Sequence, residues 1–226
     1  FTQGCAARMG YVHLESVVTF GMIPTREWVL ERWSGGVAAL HKRPVPIDGR
    51  RRLSILEFDE PAFVLGSRSL DPGLNQQTVR RRSGGGIVLL DPEESTWIDV
   101  TLPRNDPLWS DDLNHSFRWL GETIASAFVG LGLEARTHEG KLLGDDTWCF
   151  DAVGAGEVLW CNRKLVGISQ RRTRQAARFQ CVWYRHFHEP PGFTSDNSRG
   201  VGWADAGLAS SAPAVLDSVL SAVIEV

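Results

Sequence analysis

GEVLWCNRKLVGISQRR, residues 156–172, carries the reading of the fold. Two apolar stretches, residues 158–160 and 165–168, flank a polar break at Cys161-Asn162-Arg163. That pattern predicts two strands meeting in a tight turn near Asn162. Lys164 stands early in the second strand. Burying a lysine there is costly unless it meets an anion, whereas on the solvent face of an edge strand it is ordinary. Gly167 lets a ligand approach the backbone. Arg171, Arg172, Arg174 and Arg178 follow, a basic run in a chain whose formal net charge is −3.

Working outward toward the N-terminus, the next chemical feature is Val79-Arg80-Arg81-Arg82-Ser83-Gly84-Gly85-Gly86-Ile87-Val88. Gly84, Gly85 and Gly86 expose backbone N–H groups with no side chain in the way, and such concavities bind anions. Ser83 adds a hydroxyl and the arginines add forked donors. A solvated surface turn accounts for the glycines alone equally well. No GK[ST] follows, so this is not a P-loop, and a strand rather than a helix comes next, which excludes a dinucleotide fingerprint. A phosphate-bearing ligand gives both basic segments one cause.

The rest of the chain frames these two segments. Residues 25–41 read as a helix capped by Thr25, with Trp28, Leu30, Trp33 and Val37 at roughly helical spacing. Residues 53–58 and 62–66, joined by Asp59-Glu60-Pro61, read as a hairpin. Strands are expected at 78–82, 87–90 and 96–102. A helix is expected over 111–131, where Leu113, Phe117, Leu120, Ile124, Phe128 and Leu131 form one stripe. Asp111 and Asp112 suit its start and Gly132 its end. Strand-like pieces follow at 147–150, 157–160, 164–169 and 177–184. Residues 186–212 read as loop and 213–225 as an amphipathic helix. The predicted class is α/β (α+β), a mixed sheet flanked by helices. Residues 1–24 are set apart as an N-terminal segment, with one domain over 25–226.

Composition excludes several function classes. Hydrophobic residues make up 42% and charged residues 23% of 226, ordinary for a globular protein. The acidic balance argues against bulk nucleic-acid binding. No apolar run reaches the roughly 18–20 residues that span a bilayer. Cys5, Cys149, Cys161 and Cys181 form no CxxC pair, so a reduced, cytoplasmic chain is expected. His13, His41, His115, His138, His186 and His188 show no metal-ligand spacing. Asp145-Asp146 reads as solvated loop charge.

RRxSGGGxV, followed about eighty residues later by GrKlvGiSQrR, resembles the lipoate–protein ligase branch of the biotin/lipoyl ligase superfamily. VLGS (64–67) and WIDVTLPRNDPLW (97–109) fit the same pattern. The resemblance implies a class II biotin/lipoyl ligase-like catalytic domain without the accessory C-terminal domain. It implies that Lys164 contacts the acyl carboxylate and the α-phosphate of an acyl-adenylate. Arg81, Ser83, Gly84, Gly85, Gly86, Gly167 and Ser169 would line the acyl and phosphate site. Val64, Leu65, Val166 and nearby tryptophans are candidates for the acyl slot. The implied substrates are lipoate or octanoate with ATP and Mg²⁺ and no protein-bound metal. The implied partners are lipoyl carrier domains, such as 2-oxoacid dehydrogenase E2 subunits or the glycine-cleavage H protein.

Two departures stand out. The family often has a V-[FY]-H-D segment where this chain reads Val88-Leu89-Leu90-Asp91. It often has F-H-H-G where this chain reads Phe179-Gln180-Cys181-Val182. Octanoyltransferases of the superfamily carry a nucleophilic cysteine in a similar CF segment, which matches Cys149. Lys164 would then support a thiolate or polarise a thioester carbonyl. Cys149 as a small buried apolar residue is the plainer alternative, and a non-catalytic binder of lipoyl domains or acyl-nucleotides is another.

Overall fold

The computed structural model describes residues 2–4, 11–18, 27–73, 77–144, 147–189 and 199–226. In chain order its elements begin with strands β1 (Thr2–Gly4), β2 (Tyr11–Val18) and β3 (Trp28–Gly35), then helix α1 (Val37–Lys42). Strands β4 (Arg51–Glu57), β5 (Ala62–Leu65), β6 (Thr78–Arg80), β7 (Val88–Leu90) and β8 (Ser95–Pro103) lead to helix α2 (Arg118–Gly130). Strands β9 (Ala135–Thr137), β10 (Val158–Trp160), β11 (Arg163–Arg172) and β12 (Ala176–Tyr184) precede helix α3 (Ala212–Ile224). A nine-stranded sheet has the order β1-β2-β3-β4-β8-β12-β11-β10-β9, and β6-β5-β7 form a second, small sheet. The β3–β4 and β5–β6 pairs are parallel and the other pairs antiparallel. The expected mixed sheet flanked by helices is therefore the architecture found.

Period-two alternation sends successive side chains of each strand to opposite faces. Leu53, Ile55, Ile98, Val100, Phe179 and Cys181 pack against Leu120, Ile124 and Phe128 of α2 and Val215, Val219 and Val223 of α3. Leu56, Trp97 and Val182 face the other way, against α1 and the small sheet through Val37, Leu40, Val64, Val88 and Leu90. The register lines up rows on this second face. Gly167, Val182, Trp97 and Leu56 make an apolar row, and Ser169, Gln180, Asp99 and Ser54 a polar row beside it. Arg171, Arg178, Thr101 and Arg52 make a third row. Gly167, Val182, Trp97, Ser169 and Gln180 of the first two rows line one cavity.

Several local expectations are corrected. Residues 28–35 are strand β3, and only 37–42 are helical. Pairing on both edges overrides the loose helical spacing, and Gly36 alone separates strand from helix. Thr25 lies outside the described residues, as do Asp145, Asp146 and 190–198 of the expected loop. The hairpin over 53–66 is not formed: β4 belongs to the large sheet and β5 to the small one. Helix α2 begins at Arg118, while 113–117 are turns and Leu113 is exposed. Asp112 accepts from the Asn114 and His115 amides and so caps the turns instead. Residues 147–150 make one isolated bridge, Ile87 to Trp148, rather than a strand. Among the described residues no helix is long and apolar enough to cross a membrane.

Helix α2 docks through a glycine. A Cβ at Gly121 would lie 1.9 Å from the Gly156 carbonyl oxygen, whereas one at Gly130 meets nothing within 4 Å. Gly121→Ala is expected to lower stability by about 2–3 kcal/mol by overpacking. Gly130→Ala should raise it by about 0.5 kcal/mol. Denaturant titration of the two variants measures both.

Candidate functional site

The turn between β10 and β11 is a two-residue loop in which both residues, Cys161 (φ 46°) and Asn162 (φ 65°), are left-handed. That geometry matches strand twist in a tight hairpin. Next to it the β10–β11 register shifts, leaving Leu165 as an extra residue between the Leu159–Lys164 and Val158–Val166 pairs. Such bulges re-aim side chains. Lys164 is only 2% exposed. Its Nζ donates to Glu157 Oε2 at 2.7 Å and to the Cys149 carbonyl. The Cys149 Sγ lies 3.7 Å away, and the Phe150 ring centroid 5.3 Å away. Lys164 is thus not a solvent-facing edge residue.

Glu157 completes this centre. Its carboxylate also accepts from the amides of Gly154 (2.6 Å) and Ile168 (3.1 Å). Burial works against the charge on Lys164, but attraction to Cys149 and Glu157, with hydrogen bonds to both, holds its pKa above the ordinary lysine value. The ammonium stays charged in a dry place because a carboxylate sits against it.

The glycine turn is pinned from outside and beneath. A Cβ on Gly66 would lie 1.8 Å from the Gly85 carbonyl oxygen, so residue 66 must be glycine. Gly85 itself has φ +93°, a conformation that side chains rarely adopt. Arg81 is buried, and its Nη2 donates to the carbonyls of Gly84 and Gly86, each at 2.9 Å. Ser69 Oγ donates to the Gly85 carbonyl at 3.1 Å. With those carbonyls committed, the turn has N–H groups to offer a ligand. Burial lowers the Arg81 pKa, and a hydrogen bond and charge attraction to Cys149 partly counter this. Cys149 therefore lies between two cationic side chains.

Two cavities meet at this centre. The first is apolar and narrow, about 30 Å³, and lies between the large sheet and the small one. Val64, Val88, Leu90, Trp97, Phe150 and Val182 are among its apolar lining residues. The second holds about 290 Å³ and is bounded by the glycine turn, Lys164, Glu157, Ala155 and Gln170. Arg81, Cys149, Ile168 and Ser169 line both. Gly167 leaves room beside Phe150, which a Cβ there would crowd at 3.3 Å.

A polar chain runs along the apolar cavity. Ser83 Oγ lies 3.1 Å from Ser169 Oγ and donates to Gln180 Oε1 at 2.7 Å. Gln180 Nε2 lies 3.3 Å from His41 Nδ1. His41 stacks on Trp97 with centroids 4.4 Å apart. Asp99 holds that tryptophan in place by accepting from its indole N–H at 2.8 Å and pairing with Arg43 and Arg178. Burial, with Arg81, Arg43 and Arg178 nearby, pushes the His41 pKa down to about 3. His41 is therefore neutral at pH 7.

Of the sequence-predicted residues, Arg81, Gly84, Gly85, Gly86, Cys149, Lys164, Gly167 and Ser169 line these two cavities. Ser83 does not: it is buried behind them, bonded to Ser169 and Gln180. Two acyl-slot candidates do not. Leu65 packs with Phe63 and Ile87 on the outer side of the small sheet, and Val166 faces the helices. Val64 does line the slot, and the tryptophan there is Trp97. Glu157, His41 and Gln180 were missed. Glu157 sits seven residues before Lys164, an ordinary strand flank in sequence. His41 comes from α1, and only the tertiary fold brings it to Gln180.

Elsewhere, His13, Glu15 and Glu31 come within 4.8 Å of one another. Glu31, however, is already committed to Arg52, Ser54 and Trp33. His186 Nδ1 contacts Glu94 at 3.0 Å rather than pairing with His188.

Comparison with known proteins fits this geometry. The family model described as "Lipoyl protein ligase A/B catalytic domain" matches residues 48–185. The fold is similar to a crystal structure of lipoate-protein ligase A bound with ATP, with a TM-score of 0.62 at 19% identity over 79% of this chain and 73% of that one. It is similar to Ta0514, a putative lipoate protein ligase from T. acidophilum with bound lipoic acid (TM-score 0.61, 18% identity, 79% and 73% covered). P. falciparum LipL1 in complex with lipoate aligns with a TM-score of 0.53 at 11% identity, over 81% of this chain and 52% of that one. No curated protein matches the sequence.

Removing one member of a buried ion pair leaves the other charge uncompensated. Glu157→Gln is expected to cost about 3 kcal/mol of stability. The double variant Glu157→Gln/Lys164→Met should recover much of that loss. Chemical denaturation of the single and double variants measures the coupling.

Proposed function

We propose that this chain, which belongs to the lipoyl protein ligase A/B family, activates lipoate as an adenylate and transfers the lipoyl group to a lysine of a carrier domain. The observation that carries this reading is the buried Lys164 ammonium, which lines the glycine-lined cavity and touches Cys149 where that cavity meets an apolar one. A mixed anhydride has the same two halves, an acyl chain and a phosphate. The similar structures bind ATP in one case and lipoic acid in another, which supports the assignment of substrates. In a related archaeal system the ligase was studied with its E2 lipoyl domain, which supports a carrier domain as acceptor.

The lipoate carboxylate attacks the α-phosphorus of ATP and pyrophosphate leaves. The acceptor amine then attacks the acyl carbonyl, and AMP leaves. Lys164 neutralises charge where carboxylate and phosphate meet, and the amides of Gly84, Gly85 and Gly86 receive phosphate oxygens. Val64, Leu90, Trp97 and Val182 hold the acyl chain in a fixed place, which lowers the entropic barrier to attack. Mg²⁺ would serve to screen the phosphates. Among the described residues lining the nucleotide cavity, the one carboxylate is Glu157, already held by Lys164, Gly154 and Ile168. A protein carboxylate for the metal is thus not supplied there, and no step is assigned to it.

One observation favours a second reading. The Cys149 sulfur sits beside Arg81 and Lys164 where the two cavities meet, the place a nucleophile would occupy. In an octanoyltransferase the thiolate attacks a carrier-bound thioester and the carrier thiol leaves. The acceptor amine then displaces Cys149. Assayed with lipoate, ATP and a lipoyl domain, Lys164→Ala should lose at least a hundredfold in rate, about 3 kcal/mol of transition-state stabilisation. Lys164→Arg should fail as well, because a planar fork does not replace a point charge. Undiminished lipoylation by Lys164→Ala would remove the assignment. Cys149→Ser separates the chemistries: it retains ligation under the adenylate route and abolishes transfer under the thioester route.

A further inference from the structure

The polar chain beside the apolar cavity has a direction. Ser83 donates to the Gln180 carbonyl oxygen, which fixes the Gln180 amide and turns its NH₂ toward His41 Nδ1. Nδ1 therefore accepts, and the proton of the neutral imidazole sits on Nε2. His41 Nε2 is buried and has no hydrogen-bond partner. An unpaired N–H in such a place is costly, and it is satisfied when an acceptor arrives. The rest of the cavity wall supplies none, because its other members are apolar or already bonded. A lone water would find too few partners there.

The position of this N–H is set by the sheet. Gly167, beneath Cys149, and Trp97, beneath His41, share one register row with β12 between them. Two strand spacings separate them, about 9.5 Å. That span is comparable with the reach of a medium-length acyl chain whose carboxyl end lies at Cys149 and Lys164. His41 then meets the distal part of the chain.

We propose that His41 determines specificity for the acyl tail: the cavity prefers a medium-chain acyl group carrying a sulfur or oxygen acceptor near its distal end over a plain alkyl chain. The inference rests on the reading of this cavity as an acyl slot, and the test separates the two. Calorimetric titration of the full chain with octanoate, 8-hydroxyoctanoate and lipoate measures the preference. The size-matched hydroxy acid, and lipoate, are expected to bind about tenfold more tightly than octanoate, the value of one well-placed hydrogen bond. His41→Phe keeps a ring on Trp97 and removes the donor, so octanoate and 8-hydroxyoctanoate should then bind alike. Equal binding of those two acids by the wild-type chain overturns the role of His41 while leaving the slot intact, and needs no variant to fold. A preference that survives His41→Phe also overturns it. Binding of none of the three acids overturns the slot itself.

Discussion

A charged amine held out of water is the constraint around which the rest is arranged. Lys164 is surrounded by protein, so its ammonium needs an anion, and Glu157 supplies one at 2.7 Å. Glu157 is held in turn by two backbone amides, one before β10 and one in β11. The pair joins a strand, a loop and the Cys149 segment at one point. Without a carboxylate the lysine would have to lose its proton, and the cavity junction would lose its positive charge.

The large sheet turns this point into a site by sorting its second face into rows. The apolar row of Gly167, Val182 and Trp97 is the floor of the apolar cavity, and the polar row of Ser169, Gln180 and Asp99 runs beside it. Register is therefore chemistry here. A slip of one residue in β11 would send Gly167 to the helix face and place Ile168 under Cys149. The small sheet closes the cavity from above, and the glycine turn connecting β6 to β7 borders the second cavity beyond it.

Much of this was legible in the chain. The β10–β11 hairpin, strands β8 and β12, helix α3 and the stripe of α2 follow from apolar periodicity and turn residues. The partnership of Lys164 with the glycine turn was inferred from two separated basic segments, and the two line one cavity. What stayed hidden is tertiary. Trp28, Leu30 and Trp33 fit a helix loosely and a strand equally well, and pairing with β2 and β4 decides between them. Residues 53–66 look like a hairpin because the switch between sheets at Asp59-Glu60-Pro61 leaves no local mark. His41 is an unremarkable residue of a six-residue helix until α1 stacks it on Trp97. Gln180, read in sequence as a departure from a histidine pattern, becomes the link from Ser83 to His41.

The most direct measurement is a crystal structure of the chain with a non-hydrolysable lipoyl-adenylate analogue. The account predicts the anhydride mimic within hydrogen-bonding distance of Lys164 Nζ and the amides of Gly84, Gly85 and Gly86, with the acyl chain running over Val182 toward Trp97. An analogue seated elsewhere, or bound while the Lys164 ammonium makes no contact with it, would contradict the account.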